Sequence, residues 1–177
     1  GVKISNLLTV DQSCHIQTAR LFSRTSVSCF LLCESNGKAV YLLYRKEQLK
    51  EYLATGPVRE LMERFGYEGM ELGEILSLVG TRYREHMEGC KTFPHEIGLL
   101  LGYPAEDVKG FIENQGRRSL YSGYWKVYSN LEECQRIFAS YDHAREKVIH
   151  LMAKGMTVRT IMEMHHLYGY CPAAGAF

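Results

Sequence analysis

The sequence lacks an excess of charge of either sign, and it lacks long apolar runs. Its 177 residues include 21 Lys and Arg against 20 Asp and Glu, so the formal net charge is only +1. Such a balance provides no overall field to attract nucleic acid or an anionic membrane. No apolar run approaches the roughly 18 residues of a membrane span, and the first residues do not resemble a signal peptide. We therefore expect a cytoplasmic protein without a membrane partner.

Closely spaced cysteine pairs and phosphate-binding glycine motifs are also missing. No CxxC pair occurs and no secretion signal is evident, so we expect all six cysteines to be reduced thiols outside any disulfide. The glycine patterns that bind nucleotide phosphates do not occur either. Without repeats or linkers, residues 1–177 are expected to form a single domain, with a loosely held tail from about residue 170. The cysteines are Cys14, Cys29, Cys33, Cys90, Cys134 and Cys171.

The clearest structural signal that is present is a hairpin over residues 26–45. Asn36-Gly37, the preferred pair for a two-residue type I′ turn, lies between two β-rich runs. Because both faces of the hairpin are apolar, we expect other elements to cover it on both sides, at least in part. The turn predicts a register that pairs Ser35 with Lys38, Cys33 with Val40, Leu31 with Leu42 and Cys29 with Tyr44.

Most of the remaining chain has the periodicity of helices. Apolar residues recur at helical spacing after the hairpin, and the stretch "SLYSGYWKVYSN" alternates as a further strand would. The sequence therefore predicts an α+β fold. We expect a small antiparallel sheet, made of the hairpin 26–45 and a strand near 122–129, packed with five to seven helices.

The stretch "TFPHEIGLLLGYP" predicts a helix that starts at Pro94. Proline suits the first turn, and Glu96 would complement the helix dipole there. Pro104 would open a second short helix that carries Asp107 in its first turn. On this interpretation His95 lies at a helix start and is at least partly accessible to solvent.

Two short helices joined by a glycine-containing turn are also typical of helix-turn-helix DNA-binding proteins. The second helix would read the DNA, but "PAEDVKGFIEN" has three acidic residues against one lysine and would repel phosphates. Arg117 and Arg118 follow this helix. A DNA-binding function is therefore disfavoured, although it remains one alternative.

The motif "FPHEIGLLLGYPAEDVKGFIEN", followed by "SGYWKVYSN", resembles the signature of a family of small, uncharacterised bacterial proteins found mostly in anaerobic Firmicutes. The family pattern is FPHEIGxFLGYPxxDVxGFIxN, followed by a GxWKVY strand. Because the family is a domain of unknown function, the resemblance implies kinship without a mechanism.

The chain departs from this family near its N-terminus. Family members often begin with a His-Cys pair, whose positions fall on Leu8 and Thr9 when "ARLFS" is aligned. Cys14 and His15 lie nearby but are displaced by several residues. If the family uses that cysteine chemically, this chain either does not or uses Cys14 instead.

One alternative function is a hydrolase or transferase that depends on a cysteine and a histidine. Cys14 or Cys90 could act as the nucleophile, with His95 as the base and Glu96 as the group that orients it. No nucleophile-elbow motif accompanies either cysteine. The residue types alone support this alternative.

A metal site is a weaker alternative. His86 and Cys90 are four residues apart on one helical face, and His95 follows them. These three side chains could hold zinc. No fourth ligand is evident, and the sequence leaves the identity of any cofactor unknown.

The leading prediction is a protein that binds a small molecule or a protein partner near His95 and the "GYWKVY" strand. Aromatic area combined with polar groups is the usual lining of a binding pocket. An equally simple interpretation is that the tryptophan and the tyrosines are core residues. The predicted binding residues are His95, Glu96, Tyr103, Trp125, Lys126 and Tyr128.

Overall fold

A computed structural model describes residues 2–23 and 25–167, so the tail predicted from about residue 170 lies outside the described residues. Three strands form an antiparallel sheet in the order β1-β3-β2. They are β1 (Ser5–Asp11), β2 (Ser28–Ser35) and β3 (Lys38–Tyr44). The central strand, β3, is therefore paired along both of its edges.

Eight α-helices accompany the sheets within the described residues, one more than the upper limit of the predicted range. None of the described helices is long and apolar enough to cross a membrane. The α+β class is confirmed. The helices are α1 (His15–Phe22), α2 (Lys46–Leu53), α3 (Gly56–Arg64), α4 (Leu72–Met87), α5 (Ile97–Leu100), α6 (Ala105–Glu113), α7 (Leu131–Ala153) and α8 (Val158–Leu167).

The hairpin between β2 and β3 is confirmed, and so is its turn. Asn36 and Gly37 have φ angles of 52° and 72°, the positive values that a type I′ turn requires. Close to the turn the register is as predicted, with Ser35 opposite Lys38 and Cys33 opposite Val40. The local Asn-Gly signal was therefore sufficient to align the strand ends beside it.

Farther from the turn the predicted register was wrong by one residue. Leu31 pairs with Tyr41 and Cys29 with Leu43, because the register shifts between Leu31 and Cys33. The residue at the shift, Leu32, is only 1% exposed. Helix α4 packs there: a Cβ added to Gly80 would lie 3.1 Å from the Leu32 carbonyl oxygen. The register shift thus occurs where α4 packs on the strand, and it could not be predicted from the turn sequence alone.

The third strand of the sheet is β1, whereas the predicted strand near 122–129 belongs to a separate ribbon. β1 pairs with β3 along its whole length, from Ser5 opposite Tyr44 to Asp11 opposite Lys38. The predicted segment instead forms β4 (Tyr121–Ser122) and β5 (Lys126–Val127), which pair only with each other. The sequence around β1 has weak strand alternation, and its partner lies far along the chain.

Two apolar clusters divide the interior. The larger cluster joins the hairpin to α2 through α6, with Leu42, Leu49 and Leu100 at most 1% exposed. The smaller one forms where the β4–β5 ribbon meets α7, and it contains Trp125 and Phe138. Tyr103, in the loop between α5 and α6, packs against both clusters. The candidate site lies between these two cores.

Candidate functional site

A cavity of about 400 Å³ lies between the two apolar clusters. Its walls come from distant parts of the chain: Leu7 of β1, Ile97 of α5, Phe111 of α6 and Trp125 beside β5. Most of the lining is therefore apolar or aromatic. Such a composition with a few polar groups is typical of small-molecule pockets.

Four of the six predicted binding residues line this cavity: His95, Tyr103, Trp125 and Lys126. Glu96 lies behind the wall and is 3% exposed. Tyr128 is also outside the lining; its hydroxyl oxygen is buried without a hydrogen-bond partner among the described residues. The structure therefore brings together most, but not all, of the predicted set.

Glu96 anchors the loop before α5 to the body of the protein. Its Oε1 accepts hydrogen bonds from Arg82 Nη1 of α4 and from the Tyr67 hydroxyl, each at 2.7 Å. Arg82 Nη1 also donates to the Phe65 carbonyl at 3.1 Å. Burial, together with the hydrogen bond to Glu96, raises the pKa of Tyr67, so its hydroxyl stays a donor. The predicted dipole role is thus secondary to a buried ion pair.

The helix predicted to start at Pro94 begins later, at Ile97. A turn precedes it, in which the Ile97 N–H donates to the Pro94 carbonyl at 3.2 Å. His95 lies in this turn and is half-buried. The anchored neighbour, Glu96, therefore fixes the backbone from which the His95 ring projects.

The His95 ring contacts two aromatic rings, with centroid distances of 5.8 Å to Phe93 and 5.5 Å to Phe111. Within the described residues neither ring nitrogen has a hydrogen-bond partner. Burial lowers the pKa of His95, and the smaller effect of the Glu96 charge opposes it. A neutral imidazole offers one donor and one acceptor nitrogen to a ligand.

Asp107 holds the opposite wall of the cavity. Its side chain is 2% exposed, and its Oδ2 accepts a hydrogen bond from the Trp125 indole at 2.7 Å. Its Oδ1 accepts from the backbone N–H groups of Tyr128 and Ser129, at 2.8 and 2.9 Å. The Cys134 thiol donates to Oδ2 at 3.4 Å.

The hydrogen bonds to Asp107 determine its ionisation. Burial by itself raises the pKa of the carboxyl group, but the bonds from Tyr128 N–H, Trp125 and Ser129 outweigh it and lower the pKa overall. Burial and the Asp107 charge together raise the pKa of Cys134 to about 12. Asp107 is therefore an anion, and Cys134 is an un-ionised donor with no nucleophilic character at neutral pH.

Trp125 is held by two aromatic neighbours and by the hydrogen bond from its indole N–H to Asp107. Tyr103 stacks on it at 4.9 Å between ring centroids, and Phe138 meets it edge-on at 4.5 Å. The Tyr52 hydroxyl donates to the Tyr103 carbonyl at 2.5 Å, which fixes the loop that carries Tyr103. These contacts fix the orientation of the Trp125 and Tyr103 rings in the cavity wall.

Lys126 lies at the rim and stabilises a strained turn. Its Nζ donates to the Gly116 carbonyl at 2.5 Å and lies 5.9 Å from the centre of the Phe111 ring. Two non-glycine residues beside Gly116, Gln115 and Arg118, have φ angles of 53° and 58°. Left-handed residues of this kind cost about 1–2 kcal/mol each, so the turn needs outside support.

The candidates for a cysteine nucleophile are not paired with a histidine. Cys14 and Cys90 are both exposed, and the Cys90 thiol donates to the Glu88 carbonyl at 3.8 Å. In the described part of the chain no thiol is hydrogen-bonded to a histidine ring. Glu96 is occupied by Arg82, so it does not orient His95.

The segment that departs from the family pattern contains a different histidine contact. Leu8 and Thr9 lie within β1, and His15 begins α1 just beyond Cys14. His15 Nδ1 lies 2.5 Å from the Tyr41 hydroxyl. The histidine of this segment is thus engaged with the sheet.

The three weak metal candidates are not assembled into a site. His86 and His95 both contact the ring of Phe93, at 5.3 and 5.8 Å between centroids. His86 Nδ1 also lies 3.1 Å from the Lys91 carbonyl oxygen. Among the described side chains, those of residues 2–23 and 25–164, no group of three His, Cys, Asp or Glu could hold a metal ion.

The two short helices α5 and α6 do form, as the DNA-binding alternative required. However, α6 buries Asp107 and Val108 in the protein, while Glu106 and Glu113 remain exposed. An exposed acidic face opposes contact with phosphates. The exposed face of α6 therefore does not support the DNA-binding alternative.

Several lining residues were not predicted from the sequence. Phe93 and Phe111 carry much of the aromatic wall, and Ser122 lies at the rim. Phe111 lies within the shared motif "FPHEIGLLLGYPAEDVKGFIEN", and this position was a usable signal. Leu7 gave no signal, because it reaches the cavity only through the unpredicted strand β1.

Residues 1–162 match the profile of a protein family described as "Protein of unknown function (DUF3793)", and the chain belongs to this family. The kinship expected from the motif is thus confirmed for an uncharacterised family; the bacterial distribution and the motif itself stay predictions. No curated protein and no solved structure matches the chain.

Proposed function

We propose that this member of the DUF3793 family binds a small molecule with a planar, largely apolar body in the cavity between its two cores. The observation that carries the proposal is the cavity itself, about 400 Å³ in volume and walled by aromatic rings. That volume lies within the usual range of ligand pockets, roughly 300–1,000 Å³.

The shape of the ligand follows from the walls. Phe93 is exposed and Phe111 is half-buried, so both present ring surface to the cavity beside the buried Trp125, and planar ligands stack well on such surfaces. Phe93 is 40% exposed and lines the cavity, so its ring offers apolar surface that a ligand can cover. A planar apolar ligand would remove this surface from water.

The preformed walls also favour binding. Asp107 and Glu96 hold the two sides through buried hydrogen bonds at 2.7 Å to Trp125 and to Arg82. A ligand then orders few side chains on arrival, which reduces the entropic cost of association. His95 supplies ring nitrogens that have no partner among the described residues and can orient the ligand.

The proposal assigns a binding function in the cytoplasm and no reaction. The five described cysteines are all free, which supports a reducing compartment. The aromatic lining and the absence of a thiol–histidine hydrogen bond in the described residues both support binding rather than cysteine chemistry.

Trp125 makes the test direct, because it is the only tryptophan in the chain. Its indole N–H gives a single side-chain indole signal in the ¹H–¹⁵N correlation spectrum of the ¹⁵N-labelled protein. Titration with 2-naphthamide, a neutral planar probe, should shift this signal in a saturable manner. Native mass spectrometry of protein from its own host should in addition detect a retained small molecule.

A matched pair of variants separates binding in the cavity from binding elsewhere. Phe93→Ala removes a lining ring and should weaken the binding of 2-naphthamide. Met87→Ala removes a side chain of nearly equal exposure, 39% against 40%, outside the cavity and should leave binding unchanged. If a broad set of planar probes leaves the Trp125 signal unmoved, the proposal is wrong.

A further inference from the structure

We infer that the cavity selects planar ligands that carry a carboxylate, and that Lys126 is the residue that recognises this group. The inference rests on the proposed function and names the class of ligand. An aromatic carboxylate would place its rings against the aromatic wall and its negative charge at the rim.

Lys126 is placed to meet an anionic group. It lines the cavity, and its ammonium group lies beside Phe111, 5.9 Å from the ring centre. One of its N–H groups is directed at the Gly116 carbonyl, 2.5 Å away. An ammonium group has three donors, so two remain for a ligand. The bond to Gly116 also holds the charge at the rim instead of leaving it mobile in solvent.

The positive charge of Lys126 is not neutralised by the protein. Within the described residues, no carboxylate forms an ion pair with it. Asp107 does line the cavity, but its two oxygens already accept hydrogen bonds from the Trp125 indole, the Ser129 hydroxyl and two backbone N–H groups. These donors already serve Asp107, whereas Lys126 keeps two N–H groups and a positive charge available to a ligand carboxylate at the rim.

The residues that follow Gly116 add further positive charge near Lys126. Arg117 and Arg118 directly follow the carbonyl that Lys126 binds, and both are exposed. The nearest acidic residue of this segment is Glu113, at the end of α6. Lys126, Arg117 and Arg118 outnumber the carboxylates of Glu113 in this segment and Asp107 in the lining, which favours an anionic ligand near this rim.

The rest of the cavity limits the ligand to one compact charge. Its interior walls, such as Ile97, Val108 and Leu101, are apolar and would not solvate a second anionic group. His95 adds a donor but no positive charge at neutral pH, because burial lowers its pKa. Discrimination between a charged and a neutral ligand is therefore assigned to Lys126.

Two probes of nearly equal shape test this inference: 2-naphthoate, which is anionic, and 2-naphthamide, which is neutral. Both are titrated into the intact chain while the Trp125 indole signal is followed. A partly exposed ion pair contributes up to about 1 kcal/mol, so 2-naphthoate should bind about fivefold more tightly. Added salt should weaken the binding of 2-naphthoate alone.

The variant Lys126→Gln should bring the two affinities together. Lys109→Gln is the matched control: it removes an exposed lysine of α6 that does not line the cavity and changes the net charge equally. This control should keep the preference for 2-naphthoate. A circular dichroism spectrum and a thermal melt of each variant establish that it is folded.

The outcomes separate the two proposals. Equal affinity of both probes for the unaltered protein would overturn the carboxylate class while leaving the proposed binding function intact. A preference that survives Lys126→Gln would overturn the role of Lys126. Failure of both probes, and of other planar probes, to move the Trp125 signal would overturn the proposed function itself.

Discussion

Replacement of Asp107 by asparagine removes one acceptor from the most heavily used carboxylate in the structure. Oδ1 accepts from the N–H groups of Tyr128 and Ser129 at 2.8 and 2.9 Å, whereas Oδ2 accepts from the Trp125 indole at 2.7 Å. Asparagine has one oxygen and one NH₂ group. The NH₂ group of the new amide must therefore face an N–H group that previously donated to the carboxylate.

The less costly orientation keeps the amide oxygen towards Tyr128 and Ser129. The NH₂ group then faces the Trp125 indole N–H, so this bond is lost and a buried donor is left without an acceptor. A hydrogen bond to a charged group contributes about 1.5–3 kcal/mol, and a buried unsatisfied donor costs about 1–3 kcal/mol. We expect Asp107→Asn to reduce the free energy of unfolding by about 3–5 kcal/mol. In a chain of this length the melting temperature would fall by roughly 6–20 °C.

The assay is urea unfolding followed by far-UV circular dichroism, in the unaltered and the Trp125→Phe backgrounds. Phenylalanine removes the indole N–H that opposes the new amide. Asp107→Asn should therefore cost about 1–2 kcal/mol less in the Trp125→Phe background. A loss below about 1 kcal/mol for Asp107→Asn alone, or equal losses in both backgrounds, would refute the reasoning.

The stability difference between the unaltered protein and Asp107→Asn should depend on pH. The pKa of Asp107 is lower in the folded protein than its ordinary value of 3.8. The ionised group therefore contributes stability that is fully present above about pH 4 and is lost as the pH falls through the folded pKa. The difference in stability between the unaltered protein and Asp107→Asn should narrow in that acid range.

Three further predictions concern the other titratable and thiol groups. Glu96→Ala leaves the buried Tyr67 hydroxyl and the Arg82 guanidinium without their acceptor. Since the Arg82 side chain is 32% exposed, we expect the free energy of unfolding to fall by about 3 kcal/mol, near the lower end of the usual range for a broken buried ion pair. Urea unfolding measures this loss, and a loss under about 1 kcal/mol would contradict the prediction. The pKa of His95 in the folded protein lies below 6.5, so as the pH falls His95 is protonated in the unfolded chain before it is protonated in the folded protein. Between neutral pH and about pH 5, the melting temperature of the unaltered protein should therefore fall further than that of His95→Gln. Equal decreases would show that His95 is not responsible. Thiol counting in denaturant without reductant should find six free thiols, and four or fewer would disprove a disulfide-free chain.

The parts of the fold that were predicted correctly depend on neighbouring residues. Asn36-Gly37 determines the turn and the pairing of Cys33 with Val40, because a two-residue loop leaves little freedom to the adjacent residues. The error begins at Leu32, where α4 approaches the strand through Gly80. β1 was missed for a similar reason, since it is defined by its pairing with β3 and only weakly by its own alternation.

In the candidate site, too, the features that depend on neighbouring residues were predicted and those that depend on distant residues were not. His95, Tyr103, Trp125 and Lys126 were predicted because aromatic and polar residues cluster in one motif, and all four line the cavity. Glu96 was predicted to lie at a helix start because its position after Pro94 was the only available information. Its acceptor role depends on Arg82 in α4, and such a partner cannot be identified from local spacing.

Both acidic residues that the sequence assigned to helix starts are buried, and each connects its helix to a different core. Helix α5 has only four residues and could not persist alone, so its orientation depends on Glu96 and on the Ser5 hydroxyl, which donates to the Leu100 carbonyl at 2.5 Å. The position of His95 in the cavity wall therefore depends on a residue that no ligand touches.

Glu96→Gln tests this dependence, because it keeps the shape of the side chain but removes its charge. We expect the variant to remain folded and to bind 2-naphthoate several-fold more weakly, since the wall that carries His95 is held less firmly before binding. Glu63→Gln is the control: it disrupts an exposed ion pair with Arg59, 3.7 Å long and outside the cavity, and should leave the affinity unchanged. Equal affinities in the two variants would mean that the cavity wall keeps its geometry without the Glu96–Arg82 pair.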